Sequence, residues 1–151
     1  MKIHLRQIPQ GSTLHLEGEE DPRLLGLEEA GASAASPLYY SLDAGLSHGG
    51  LFVTGRLNLR VRMKCVACLE DFEVDLSVDS FAMQKELEGG EQVDLTPEIR
   101  EDIHLALPAH PRCDAGGRKT CPASFPQASA DASQSPGTAA WDALDKLKTD
   151  D

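Results

Sequence analysis

The chain has 151 residues, of which 40% are hydrophobic and 5% aromatic, and its formal net charge is −11. This length fits one domain with a modest core of aliphatic side chains. The negative charge excludes a general electrostatic attraction to nucleic acid or to an anionic membrane, and it favours a basic partner. No stretch of about 18 apolar residues is present, so the sequence predicts no membrane-spanning helix.

The first residues indicate a strand and a cytoplasmic protein. Residues 1–6 lack the apolar core of a secretory signal, and their pattern favours an opening strand. In a reducing cytoplasm, cysteines are more often free, metal-bound or redox-active than joined in structural disulfides. The four cysteines of this chain are therefore candidate metal ligands or redox groups.

Short elements are predicted before residue 50. Leu14 and Leu16 alternate with polar residues, which predicts a second strand. Asp21 and Pro22 predict the capped start of a short helix that runs through Glu29. Further along, the composition predicts a small-residue linker, an apolar strand and a turn at 31–37, 38–42 and 47–50.

The strongest pattern is a hairpin across Arg56–Val78. Apolar residues occupy every second position of both arms, with mostly basic residues between them on the first arm and mostly acidic ones on the second. Such alternation predicts two half-buried strands. One register pairs the opposite charges and stacks the apolar side chains. It places Arg62 opposite Glu73, Arg60 opposite Asp75 and Arg56 opposite Asp79.

The clearest helix signal follows residue 95. Thr96 is the predicted N-cap and Pro97 occupies the first helical position. Ile99 and Ile103 belong to an apolar stripe that should lie on the sheet, and Pro108 stops the helix. We therefore predict an α+β fold, a mainly antiparallel sheet with a long central hairpin and one or two packed helices.

Composition divides the chain near residue 121. Residues 1–121 are predicted to form a single α+β domain, and 122–151 a low-complexity tail. Up to residue 138 the tail consists mainly of Ala, Ser, Pro, Gln and Gly, which bury too little apolar surface to offset chain entropy, so we predict disorder. A short amphipathic segment ends the chain, with apolar residues at Trp141, Leu144 and Leu147.

The four cysteines form the one constellation with metal-ligand character. Cys65 and Cys68 have the C-x2-C spacing of a zinc knuckle, and Cys113 and Cys121 form a looser second pair. Four thiolates suit a closed tetrahedral zinc site, which would clamp the hairpin tip to the segment after the helix. Two alternatives stay open: four reduced cysteines without metal, and a redox dithiol of Cys65 and Cys68.

The basic hairpin face supports a second hypothesis, direct RNA binding. Its cations are Arg56, Arg60, Arg62 and Lys64. The predicted register neutralises most of them with acidic residues of the other arm, and no aromatic residue lies among them for base stacking. No nucleotide-binding loop and no serine, histidine and aspartate motif is present, so we predict a protein that is not an enzyme.

Two motifs, taken in order, resemble the YceD family. The first is Cys65-Val66-Ala67-Cys68-Leu69, followed by an acidic residue, Phe72 and an alternating strand. The second is the run VDLTPEIRE at 93–101, then LALP at 105–108, a proline and a cysteine. The final WDALDKLK at 141–148 is similar to the close of that family, and the likeness covers most of the chain from about Leu51.

The resemblance implies a role in ribosome production. YceD proteins are bacterial and plastid proteins linked to the accumulation of large-subunit ribosomal RNA. Membership implies a non-enzymatic factor that supports synthesis, processing or accumulation of that RNA. It also implies association with a ribosomal protein or a pre-ribosomal particle, because family genes often lie beside one for a small zinc-ribbon protein of the large subunit.

Overall fold

The structure is a computed structural model that describes residues 1–47, 49–87, 89–115 and 119–123. Within these residues the chain forms seven strands, one α-helix and three short 3-10 helices. The strands are β1 (Lys2–His4), β2 (Thr13–Glu20), β3 (Ala32–Ala34), β4 (Leu38–Ser47), β5 (Gly50–Lys64), β6 (Asp71–Glu86) and β7 (Gln92–Asp94). The helix is α1 (Thr96–Ala106), and the 3-10 helices are Leu5–Gln7, Pro22–Leu25 and Leu27–Ala30.

The main sheet has five antiparallel strands arranged around β5. Strands β4 and β3 pair with successive parts of one edge of β5, β6 pairs with its other edge, and β2 pairs with β4. Strands β1 and β7 form a separate two-stranded sheet. The predicted α+β fold with a long central hairpin is confirmed.

The hairpin register is confirmed near its tip and wrong at its base. Arg62 pairs with Glu73 and Arg60 with Asp75, as predicted. Near Arg56 a β-bulge interrupts the ladder, because Leu57 pairs with Val78 whereas Gly55 pairs with Phe81. The extra residue of β6 removes the predicted pairing of Arg56 with Asp79.

This bulge decides which side chains of β6 reach the core. Before it the even positions face inward, among them the buried Leu76, and after it the odd positions do, among them the buried Phe81. A bulge shifts the alternation by one residue. It therefore allows β6 to follow β5 over its whole length while its apolar side chains stay inside.

Three local predictions are corrected. The helix expected from Asp21 to Glu29 is two 3-10 helices, because Gly26 lies between them in the left-handed conformation at φ +60°. The linker at 31–37 contains β3, which pairs with residues 61–63 of β5. The loop expected at 84–92 is shorter, because β6 extends to Glu86 and β7 begins at Gln92.

Helix α1 begins differently from the prediction. Leu95 occupies the N-cap position and Thr96 is already helical. The Asp94 carboxylate instead accepts hydrogen bonds from the backbone N–H and the hydroxyl of Thr96, at 2.9 and 2.6 Å. Ile99 and Ile103 are fully buried, as the stripe predicted, and the helix lies against β6 and the 3-10 helix Pro22–Leu25.

The predicted tail lies almost wholly beyond the described residues. From residue 124 onward the low-complexity stretch and the amphipathic segment fall outside them, so their predicted states stay predictions. In the part of the chain that is described, no helix is long and apolar enough to cross a membrane.

Candidate metal centre

The structure brings all four cysteine sulfurs together. Every pair of Sγ atoms among Cys65, Cys68, Cys113 and Cys121 lies within 4.8 Å. The Sγ atoms of Cys65 and Cys121 are 4.0 Å apart, and those of Cys68 and Cys113 are 3.7 Å apart. Three of the four residues are buried and Cys68 is half-buried. The cluster could therefore hold a metal ion.

The first pair is held by the turn that closes the hairpin. The Cys65 N–H donates to the Glu70 carbonyl and the Leu69 N–H donates to the Cys65 carbonyl, both at 2.9 Å. Leu69 adopts a φ of +62°, which is unusual for a side chain without a local hydrogen-bonding group. This left-handed residue reverses the chain at the tip, so that both sulfurs of the C-x2-C motif point to the same side.

The second pair is joined to the hairpin tip by two further contacts. The Val66 N–H donates to the Pro111 carbonyl at 2.9 Å, which fixes the segment before Cys113 against the turn. The Lys119 ammonium group lies 3.0 Å from a Glu70 carboxylate oxygen, which ties the segment before Cys121 to the same turn. Residues far apart in sequence thus meet through a backbone bond, an ion pair and the cysteine cluster.

Two of the six sulfur–sulfur distances match tetrahedral coordination, and every pair lies within 4.8 Å. With metal–sulfur bonds of about 2.3 Å, two sulfurs of a regular tetrahedron are about 3.8 Å apart. The observed distances of 3.7 and 4.0 Å lie close to that value. They are also far longer than the bond of about 2.05 Å in a disulfide, and none of the four cysteines forms one. The donor set suits a metal that prefers thiolates.

The surroundings shift the pKa values of Cys65 and Cys113 in opposite directions. Backbone N–H groups of Cys68 and Cys113 donate to the Cys65 sulfur and lower its pKa to about 6. Burial and neighbouring sulfurs raise the pKa of Cys113 to about 12. Four thiolates at this spacing repel one another strongly, so the fully deprotonated set requires a cation among them.

Two of the four cations on the basic face of the hairpin form ion pairs with carboxylates of β6. Arg60 Nε lies 2.7 Å from Asp75 Oδ1, and Arg62 Nη2 lies 2.7 Å from Glu73 Oε1. These contacts agree with the predicted neutralisation at two positions. Arg56 makes no ion pair with any described residue, and its neighbour across the ladder on β4 is Ser41. The neighbouring strand β4 adds an exposed aromatic residue, Tyr39, to this face, opposite Asn58 of β5.

The four cysteines predicted as ligands do converge, but the contacts that position them were not predicted. The C-x2-C spacing alone predicts that the Cys68 amide can reach the Cys65 sulfur. Nothing in the sequence indicated the Cys113 amide or the bond between Val66 and Pro111, because both depend on where the chain returns after α1. The ion pair of Lys119 with Glu70 likewise depends on where the chain returns after α1.

Comparison with family models, curated proteins and solved structures finds no match to this chain.

Proposed function

We propose that this protein is a zinc-stabilised, non-enzymatic factor that supports the synthesis, processing or accumulation of large-subunit ribosomal RNA. In this proposal it is cytoplasmic and acts through a ribosomal protein or an assembly intermediate. The observation that carries the proposal is the convergence of Cys65, Cys68, Cys113 and Cys121 on one point. Three of these positions, Cys65, Cys68 and Cys113, stand in the motifs whose order resembles the YceD family.

The cluster supports a structural role for the metal. Four sulfur ligands would fill a tetrahedral zinc site and leave no position for a water or a substrate. Three of the ligands are buried, and the cluster joins the hairpin tip to the segment beyond α1. Zinc would therefore hold together two parts of the fold that share few other contacts there, as structural zinc does in small domains.

The proposed partner follows from charge and from the resemblance together. A chain with a net charge of −11 attracts basic proteins over long distances and repels RNA. Ribosomal proteins are the basic components of the particles with which the resemblance associates this chain. A ribosomal protein, free or within an assembly intermediate, is thus the partner that satisfies both requirements.

Two experiments test the proposal at separate levels. Metal analysis of freshly purified protein is expected to give about one zinc per chain, and a different metal or none would overturn the zinc assignment. Affinity capture from cells, together with ribosomal RNA profiles of a deletion strain, tests the cellular role. Unchanged profiles and a capture without ribosomal proteins would overturn that role.

The competing hypothesis of a thiol redox protein is supported by one observation, the lowered pKa of Cys65. Reactive thiols combine such a pKa with access to solvent, whereas the Cys65 residue is 0% exposed. An insulin-reduction assay separates the two functions. Turnover that depends on Cys65 and Cys68 would establish the redox function, and zinc-bound thiols without turnover would exclude it.

The hypothesis of direct RNA binding rests on the hairpin face. Its test is salt-dependent binding to ribosomal RNA fragments, with Arg60→Glu as the variant. Binding at low salt that this substitution weakens would favour RNA as the partner. We expect none, because Arg60 and Arg62 are already paired with carboxylates of β6.

A further inference from the structure

Strand β2 forms one outer edge of the main sheet. Its eight residues, Thr13–Glu20, pair with β4 along one side. Within the described residues its other side pairs with no strand. An unpaired strand edge presents a row of backbone donors and acceptors to which another extended segment can bond.

The outward face of β2 carries carboxylates without cations beside them. Glu17 and Glu19 are exposed and point to the same face, and neither forms an ion pair with any described residue. Their neighbours on β4 are Ser41 and Tyr39, so β4 supplies no neutralising charge, and the exposed Arg56 of β5 lies one strand further away, opposite Ser41. Negative charge thus accumulates along this edge.

The opposite outer strand, β6, differs in this respect. Its carboxylates at Glu73 and Asp75 already contact Arg62 and Arg60 of β5 at 2.7 Å. A cationic partner at β6 would have to displace those contacts, whereas one at β2 would displace only water and salt ions. The comparison favours β2 as the edge that attracts a positively charged segment.

An aromatic ring completes the surface. Tyr39 is 47% exposed and lies across the ladder from Glu19 and from Asn58 of β5. Gly18 separates the two glutamates, and a Cβ there would lie 2.7 Å from the Tyr40 hydroxyl, so a larger residue would displace the end of that side chain. A guanidinium group that reaches across Glu19 can stack on the Tyr39 ring as well as contact a carboxylate.

We propose that the open edge of β2, with Glu17, Glu19 and Tyr39, binds an extended cationic segment of a protein partner by strand addition. This inference rests on the proposed function for its choice of a basic protein as the partner. Alternate residues of a strand are about 6.8 Å apart on one face. Basic side chains at every second position of the added strand therefore match the spacing of Glu17 and Glu19.

The test uses a labelled peptide of about ten residues that alternates arginine and threonine. Its binding to the purified full chain is followed by fluorescence anisotropy at about 50 mM and about 300 mM salt. The double substitution Glu17→Gln, Glu19→Gln is expected to weaken binding about fivefold at low salt. Tyr39→Leu is expected to weaken binding of this peptide more than that of the corresponding lysine peptide.

The matched control is Glu28→Gln, Glu101→Gln, which removes the same charge from exposed positions elsewhere. It is expected to change binding by less than about twofold, because Glu17 and Glu19 stay in place. Both double variants reduce the net negative charge equally, so their difference measures the local contacts. An equal loss in the two would overturn the proposal, since only net charge would then matter. Circular dichroism and the thermal midpoint confirm that both variants fold.

Hydrogen exchange distinguishes strand addition from loose attraction. The arginine peptide is expected to slow amide exchange in residues 13–20. Protection in residues 71–86 instead would overturn the choice of edge, and binding without added protection would overturn strand addition. Concentration-dependent protection of residues 13–20 before any peptide is added would identify a second copy of this chain as the occupant instead.

An oligouridine of similar length is tested in parallel. If it binds at low salt and the arginine peptide does not, the surface is not a site for basic proteins, and the proposal is overturned. Failure of the peptide experiment leaves the ribosomal RNA profile of a deletion strain unaffected. The surface and the proposed function can therefore fail separately.

Discussion

The sulfur atoms of Cys68 and Cys113 lie 3.7 Å apart, although the two residues are 45 positions apart in the sequence. One belongs to the tip of the central hairpin and the other follows α1. Their approach depends on α1 packing against β6 and on the chain then returning along the hairpin. The cysteine cluster therefore depends on the packing of α1 against the hairpin.

Substitution of Cys113 tests whether the cluster holds zinc as one unit. Cys113→Ser is expected to reduce the zinc content from about one per chain to well below half, because one thiolate ligand is lost. The thermal midpoint should fall by roughly 10 °C, since a metal that binds the folded state stabilises it. Elemental analysis and a thermal unfolding curve measure the two effects.

Val66→Ser is the matched control for that substitution. Val66 lies between the first two cysteines, and its side chain is exposed while its backbone makes the contact with Pro111. We expect zinc content and midpoint close to those of the unmodified chain. Full zinc retention in Cys113→Ser would show that the distant cysteines do not act as ligands.

Removal of the metal should loosen one region rather than the entire sheet. After chelation, amide exchange is expected to accelerate in residues 65–70 and 111–115, because zinc would join these two segments. Residues 38–47 should keep their protection, since β4 lies between β2 and β5 in the sheet. Hydrogen exchange followed by mass spectrometry resolves the two regions. Uniform acceleration would instead indicate that the metal controls global folding.

The metal-free protein should gain stability from Cys65 as the pH rises. The folded-state pKa of about 6 lies below the ordinary value of 9.0, so the folded chain holds fewer protons between these pH values. The contribution of Cys65 is therefore complete above about pH 9 and is lost as the pH falls through 6. Urea unfolding midpoints across this range, compared with those of Cys65→Ser, measure it.

The contribution of Cys113 to stability depends on pH in the opposite direction. Its folded-state pKa is raised to about 12, so its contribution is present below pH 9.0 and is lost as the pH rises toward 12. The unmodified chain without metal should consequently be most stable near the ordinary thiol pKa, as far as these two groups decide it. A midpoint difference from Cys65→Ser that shrinks as the pH rises from 6 to 9 would contradict the assignment for Cys65.

Gly55 is the position where a single methyl group should cost most. A Cβ there would lie 2.1 Å from the Ser41 carbonyl oxygen, and the residue has a φ of +154° beside the bulge. Gly55→Ala is expected to lower the free energy of unfolding by about 3 kcal/mol or more, because backbone of β4 must move. Urea denaturation measures the change.

Gly89→Ala separates steric conflict from backbone strain. Gly89 also has a positive φ, +85°, but a Cβ there would meet no atom within 4 Å. Its substitution should cost about 1 kcal/mol, from the unfavourable φ alone. Equal losses in the two variants would show that contact with Ser41 is not the cause at Gly55.

The sequence by itself determined the local parts of this protein. Period-two alternation predicted both arms of the hairpin, and opposite charges predicted the pairing of Arg60 with Asp75. The C-x2-C spacing of Cys65 and Cys68 predicted one pair of candidate ligands within a single turn. Each of these inferences depends on neighbours in the chain or on one ladder, where geometry follows directly from spacing.

The tertiary structure alone decided the remainder. The bulge opposite Arg56 arises because β6 must keep Leu76 and Phe81 in the core while following β5. The apolar residues of this stretch shift from even to odd positions in the sequence, but only the pairing with β5 shows that the strand continues through that shift. Likewise, only the packing of α1 against β6 brings the second pair of cysteines to the first. Contacts between distant segments depend on how every intervening element packs, so they are fixed by the assembled core and not by spacing along the chain.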